Sequence, residues 1–108
     1  MKQIKKLLWW LLAGTSGGLS RGRIIETVSE KPMNANEISD KLHLDYKTVR
    51  HHLKVLQKNN LLTTMGGGKY GAMYFPSEVL EDNMKYFDEI WDEIGKKKKK
   101  DENNEVKK

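Results

Sequence analysis

Apolar residues recur at helical spacing over much of the chain, and small or polar residues mark the breaks. Ile4, Leu7, Leu8, Leu11 and Leu12 form one stripe, which predicts a helix from about Lys2 to Ala13 stopped by Gly14. Gly17-Gly18 extends the turn, and Ser20 is expected to cap a second helix carrying Ile24, Ile25 and Val28 that ends before Pro32. Asn34, with Glu37 three residues later, reads as a capping box that starts a third helix, where Ala35, Ile38 and Leu42 share a face. A short break at His43-Leu44 follows. Asp45 then caps a fourth helix through about Asn59, with Val49, Leu53 and Leu56 at i, i+4 and i+7 as its inward stripe.

Beyond that helix the period changes. Leu61 to Met65 and Tyr70 to Phe75 are β-prone runs on either side of Gly66-Gly67-Gly68-Lys69, a pattern that predicts a hairpin with a glycine tip. Pro76 and Ser77 punctuate, and a last helix is expected from about Glu78 to Ile94. Its Leu80, Met84, Phe87, Trp91 and Ile94 are spaced 4, 3, 4 and 3, as in an a/d seam. The segment from 96 to 108 has almost no apolar residue and is expected to be a disordered, lysine-rich tail.

The expected architecture is therefore mainly α with a small β-hairpin, a winged helix-turn-helix domain over residues 1–95. One small core is hard pressed to hide the stripes of both terminal helices. Leu7, Leu8, Leu11 and Leu12 of the first helix and Leu80, Met84, Phe87, Trp91 and Ile94 of the last are accordingly expected to build a two-fold homodimer interface.

Charge divides the chain into three parts. Residues 1–76 carry 12 basic and 5 acidic groups, residues 77–94 carry 1 and 7, and residues 95–108 carry 7 and 3. The basic body allows a polyanionic partner, and the acidic stretch belongs away from it. The fourth helix localises the positive charge. Opposite its apolar stripe lie Lys47, His51, Lys54 and Lys58, with Arg50 on a shoulder and no acidic residue from 46 to 58. A single helix fits the DNA major groove while a hairpin reaches the flanking backbone or minor groove. Tyr46, Lys47, Thr48, Arg50 and His51 would then meet or approach base edges, where Arg can fork onto guanine. Lys54, Lys58 and the wing residue Lys69 would meet phosphates.

The same residues carry a family resemblance. Arg23 to Leu62 resembles archaeal regulators of the arsenic-repressor-like (ArsR-type) winged-helix superfamily, above all in NANEIS at 34–39, LDYKTVRHHLKVL at 44–56 and YGAMYF at 70–75. WWLLAGT at 9–15 is similar to the first helix of such proteins. The resemblance implies a dimeric transcription regulator. One departure is Asn60, where many relatives have Gly closing the recognition helix; Asn tolerates the left-handed backbone.

Many such relatives sense metals, but the donor inventory here argues against it. Cys is absent, and the only histidines are His43, His51 and His52. His51 and His52 are adjacent and point apart on a helix rather than pairing at i, i+4. His51 suits a DNA-facing donor, and His52 is expected to be packed and bonded to backbone. No metal or other cofactor is expected.

An enzyme is not expected either. Gly67-Gly68-Lys69-Tyr70 lacks the Ser/Thr of a phosphate loop, and no nucleophile and base are paired. The apolar run from Leu7 to Ala13 mimics a short signal peptide but is too short to span a bilayer, and Ala13-Gly14-Thr15 matches a cleavage site poorly. A cytoplasmic location is expected. Two alternatives remain beside double-stranded DNA: a winged-helix protein-interaction module, and peripheral membrane attachment through the Lys-flanked, Trp-bearing first helix.

Overall fold

The computed structural model describes residues 3–67 and 71–106. Its elements run α1 (Gln3–Ala13), α2 (Gly18–Glu30), β1 (Met33–Asn34), α3 (Ala35–Leu42), α4 (Tyr46–Lys58), β2 (Leu62–Met65), β3 (Met73–Pro76), α5 (Glu78–Asp82) and α6 (Met84–Val106). This is the expected winged helix-turn-helix, with one addition. Two residues before α3 pair with the hairpin, so the wing is part of a three-stranded antiparallel sheet in the order β1-β3-β2. Met33 lies opposite Tyr74, and Leu62 opposite Pro76. A two-residue strand carries no periodic signal, which is why the pattern of the sequence does not reveal it.

Local signals fix α3 and α4. Asn34 Oδ1 accepts from the Glu37 N–H at 2.8 Å while the Asn34 N–H donates back to Glu37 Oε1 at 3.0 Å, a complete capping box. α3 ends at His43 with φ 55°, in the left-handed region. Ser39 Oγ donates to the Leu44 carbonyl at 2.6 Å and so closes the turn into α4. Asp45 caps α4 by accepting the Thr48 N–H at 3.2 Å. Asn60 adopts φ 59° after α4, the conformation that a glycine would otherwise supply.

Four expectations are corrected. α2 starts earlier, with Gly17 as its N-cap and Ser20 inside the helix. Gly18 is required there, because a Cβ would fall 1.8 Å from the Leu12 carbonyl oxygen. The last helix is two helices. Ser77 Oγ caps α5 through the Leu80 N–H at 3.1 Å, and Asn83 ends it, its N–H bonded to Leu80 O at 3.0 Å. Gly95 does not end α6, whose backbone continues through the lysine-rich segment to Val106 in place of the expected disorder. One glycine costs about 1 kcal/mol relative to alanine, and Lys and Glu are good helix formers.

The fourth correction concerns the fully buried members of the expected dimer seam. Leu8, Leu11, Leu12, Leu80 and Phe87 are buried in the core of a single chain, together with Ile90. Leu7, Met84, Trp91 and Ile94 are half-buried against the same core. α1 packs along α6 of its own chain, and Lys5 Nζ approaches Glu89 Oε2 at 3.8 Å across that contact. Trp91 stacks on Phe87 with ring centroids 6.0 Å apart, lies over Gly22 of α2, and donates its Nε1–H to Glu26 at 3.1 Å. The chain closes its own core because Gly22 lets the indole approach the α2 backbone.

Candidate nucleic-acid interface

α4 is held by its buried side. Val49, Leu53 and Leu56 are fully buried, as the i, i+4, i+7 pattern requires. His52 shares that side, and its partner is a side chain rather than the expected backbone group. Arg21 of α2, itself only 6% exposed, extends its guanidinium to three places. Nε donates to the Leu11 carbonyl at 3.0 Å, Nη1 to His52 Nδ1 at 3.3 Å, and Nη2 to Thr15 Oγ1. Arginine has no acceptor, so Nδ1 must be bare and the proton of a neutral His52 lies on Nε2. Burial, then the Arg21 charge, then His51, all hold the His52 imidazole below its usual pKa, and burial lowers that of Arg21. Gly17 seals this cluster, since a Cβ there would lie 2.6 Å from Arg21 Nη1 and 2.7 Å from His52 Cε1.

The opposite side of α4 is open. Tyr46, Lys47, Thr48, Arg50, His51, Lys54 and Lys58 are all exposed, and α4 contains no acidic residue. Lys47, His51, Lys54 and Lys58 thus lie along one continuous face. Arg50 departs from it. Its Nη1 donates to the Tyr74 hydroxyl of β3 at 3.1 Å, tying the helix to the wing. Lys69 lies outside the described residues. The wing strands are short and the tip begins at Gly66, φ 81°, with Met65 exposed before it.

Sequence reasoning missed Arg21, Gly17 and Tyr74. Arg21 did have a signal, because it stands at i, i+4, i+7 with Ile25 and Val28 and so occupies the inward stripe of α2. Tyr74 alternates with Met73 and Phe75 and is buried by the sheet pairing, which needs β1 to be known.

Among the described residues, no group of three or more His, Cys, Asp or Glu side chains is placed to hold a metal ion. No helix among them is long and apolar enough to cross a membrane.

Residues 20–64, from α2 through β2, match the family model described as bacterial regulatory protein, arsR family. The resemblance noted from Arg23 to Leu62 lies within that match. The matched segment covers the two helices of the helix-turn-helix and the strand after them. No curated protein matches the chain. Similar solved structures include the reduced form of HlyU from Vibrio cholerae, at 17% identity, TM-score 0.59, and coverage of 81% of this chain and 82% of that one. The apo-Zalpha domain of zebrafish PKZ is 18% identical with TM-score 0.55, covering 59% of this chain and all of that one. A point mutant of Lactococcus lactis ZitR is 19% identical with TM-score 0.53, covering 81% of this chain and 65% of that one. At these identities the likeness establishes the winged-helix fold.

Proposed function

We propose that the chain is a sequence-specific, double-stranded DNA-binding transcription regulator that acts as a homodimer, with α4 in the major groove and the wing on flanking DNA. The observation that carries this reading is the outer face of α4. Four basic or imidazole side chains stand in line on a helix without a carboxylate, on the face turned away from the core. Phosphate neutralisation by such a face supplies affinity, while Lys47, Thr48 and His51 at the first turns supply contacts to base edges. Asp88, Glu89, Asp92 and Glu93 stand on α6, the helix that packs on α1.

The homodimer uses surface other than the buried seam. Trp9 and Trp10 on α1 are 52% and 56% exposed and supply apolar area for a second copy. Two recognition helices related by a two-fold axis then read half-sites about one helical turn apart.

Selection of bound sequences from random duplex DNA tests the reading. A two-fold-related motif is expected, with an affinity that falls steeply with salt. Recovery of no motif, with binding to protein partners that is indifferent to salt, would instead favour an interaction module. Sedimentation tests the assembly: Trp10→Glu should give folded monomers, and a wild-type monomer at tens of micromolar (about the range of a weak dimer) would remove the homodimer.

A further inference from the structure

Between α4 and the wing lies a small open notch, lined by Asn36 at the start of α3, Tyr46 and Arg50 of α4, and Gly71 and Tyr74 of the wing. Among the described residues, no acidic side chain lines it. Glu37, the carboxylate next in sequence, is engaged by the Asn34 N–H in the capping box. Among the described lining residues Arg50 is the cation, and Tyr74, itself buried, aims its hydroxyl at the guanidinium.

We propose that this notch is a binding site for one phosphodiester of the DNA backbone, and that Arg50 is a phosphate ligand there rather than a reader of bases. The inference rests on the DNA-binding reading and deepens it. A protein that places α4 in the major groove and its wing over the neighbouring groove straddles the backbone strand that divides the two. That strand passes where α4 meets the wing, and the notch is at this junction. The chemistry fits a phosphodiester. Tyr74 occupies one of the five Arg50 N–H groups and leaves the others for an anion. By accepting from Arg50, the Tyr74 hydroxyl keeps its own proton to donate to a phosphate oxygen. The same bond draws Arg50 away from the face formed by Lys47, His51, Lys54 and Lys58, so base contacts fall to Lys47, Thr48 and His51. Tyr74 is thus a positioning residue for Arg50 and a ligand in its own right.

Phosphate-by-phosphate substitution tests this with the full chain and a duplex selected by it. Each linkage is replaced in turn by an uncharged methylphosphonate. For wild type, one linkage in each half-site, at the junction of the two grooves, is expected to cost about tenfold in affinity. Arg50→Ala and Tyr74→Phe should each bind unmodified duplex several-fold more weakly, lose the penalty at that linkage alone, and keep the base preferences of wild type. Tyr74→Phe keeps the packed ring, so an unchanged melting midpoint separates the lost hydroxyl from lost structure.

Arg50→Ala that relaxes preference at one base pair while all phosphate penalties persist would make Arg50 a base reader and overturn the proposal. Unchanged affinity in both variants would also overturn it. Inorganic phosphate that shifts the Arg50 side-chain NMR signal, with DNA affinity indifferent to Arg50→Ala, would reassign the notch to a free anion. Failure of wild type to select any duplex would sink the DNA-binding reading itself, a result seen before either variant is made.

Discussion

α1 and α4 are both amphipathic helices with buried leucines, and they present opposite chemistry on their other sides. α4 exposes Lys47, His51, Lys54 and Lys58; α1 exposes Trp9 and Trp10. The apolar sides of the two looked alike in the sequence but were not equally informative. A stripe of leucines establishes that a surface is covered without saying what covers it. For α4 the cover is the domain beneath the helix, as the helix-turn-helix order requires. For α1 the spacing suited a second subunit equally well, and α6 of the same chain proved to be the cover. Polar sides are more explicit, because the sign of charge on a helix face selects its partner.

The contrast is most directly broken at Phe87. If α1 and α6 form the chain's own core, Phe87→Ala should destabilise the fold by about 3–5 kcal/mol in urea titration. A loss below about 1 kcal/mol, with unfolding that becomes concentration-dependent, would return this residue to a subunit seam. Gly18→Ala probes the same side from α2. Its Cβ would collide with the Leu12 carbonyl oxygen, and a loss of about 1–3 kcal/mol is expected although a methyl group is added and none removed.

On the α4 side the expected pattern inverts. Lys54→Ala should leave stability within about 0.5 kcal/mol, weaken binding to all duplexes alike, and reduce the salt slope by about 0.9. A substitution that alters folding but not the salt slope would place Lys54 outside the DNA contact.

The smallest effect is expected where the two sides meet, at His52. Its pKa is depressed in the fold, so below the usual imidazole value of about 6.5 the unfolded chain binds more protons than the folded one. Its contribution is therefore fully present above that value and is lost as pH falls through the lower folded value. His52→Gln should flatten this part of the acid limb in thermal melts. An unaltered acid limb would mean that burial and the Arg21 charge do not hold the imidazole neutral.

Much of the domain was legible because its signals are local. The Asn34–Glu37 box, the Asp45 cap and the Val49, Leu53, Leu56 stripe each need only a few consecutive turns of chain, and each stands as read. The exposed cations of α4 followed from the same periodicity. What escaped notice depends on residues far apart in sequence. β1 exists only because β3 lies beside it. Arg50 leaves its neighbours because of a tyrosine 24 positions later, and His52 finds its partner 31 positions earlier. The break at Asn83 was hidden by an unbroken heptad pattern, since apolar spacing of 4 and 3 continues across it.

The Arg21 guanidinium joins three elements, and this bears on how the protein can be re-engineered. It contacts the last turn of α1, the loop at Thr15 and the inner side of α4 at once. On the DNA-binding reading, exposed positions such as 47 and 48 can be rewritten without touching that junction. Position 52 cannot be rewritten freely, because a replacement without an acceptor leaves a buried cation short of its partner. α4 is consequently no portable cassette. Grafting it onto another winged-helix scaffold requires moving Arg21, Gly17 and the α1 carbonyl with it, whereas grafting foreign reading residues onto this scaffold requires none of them to move.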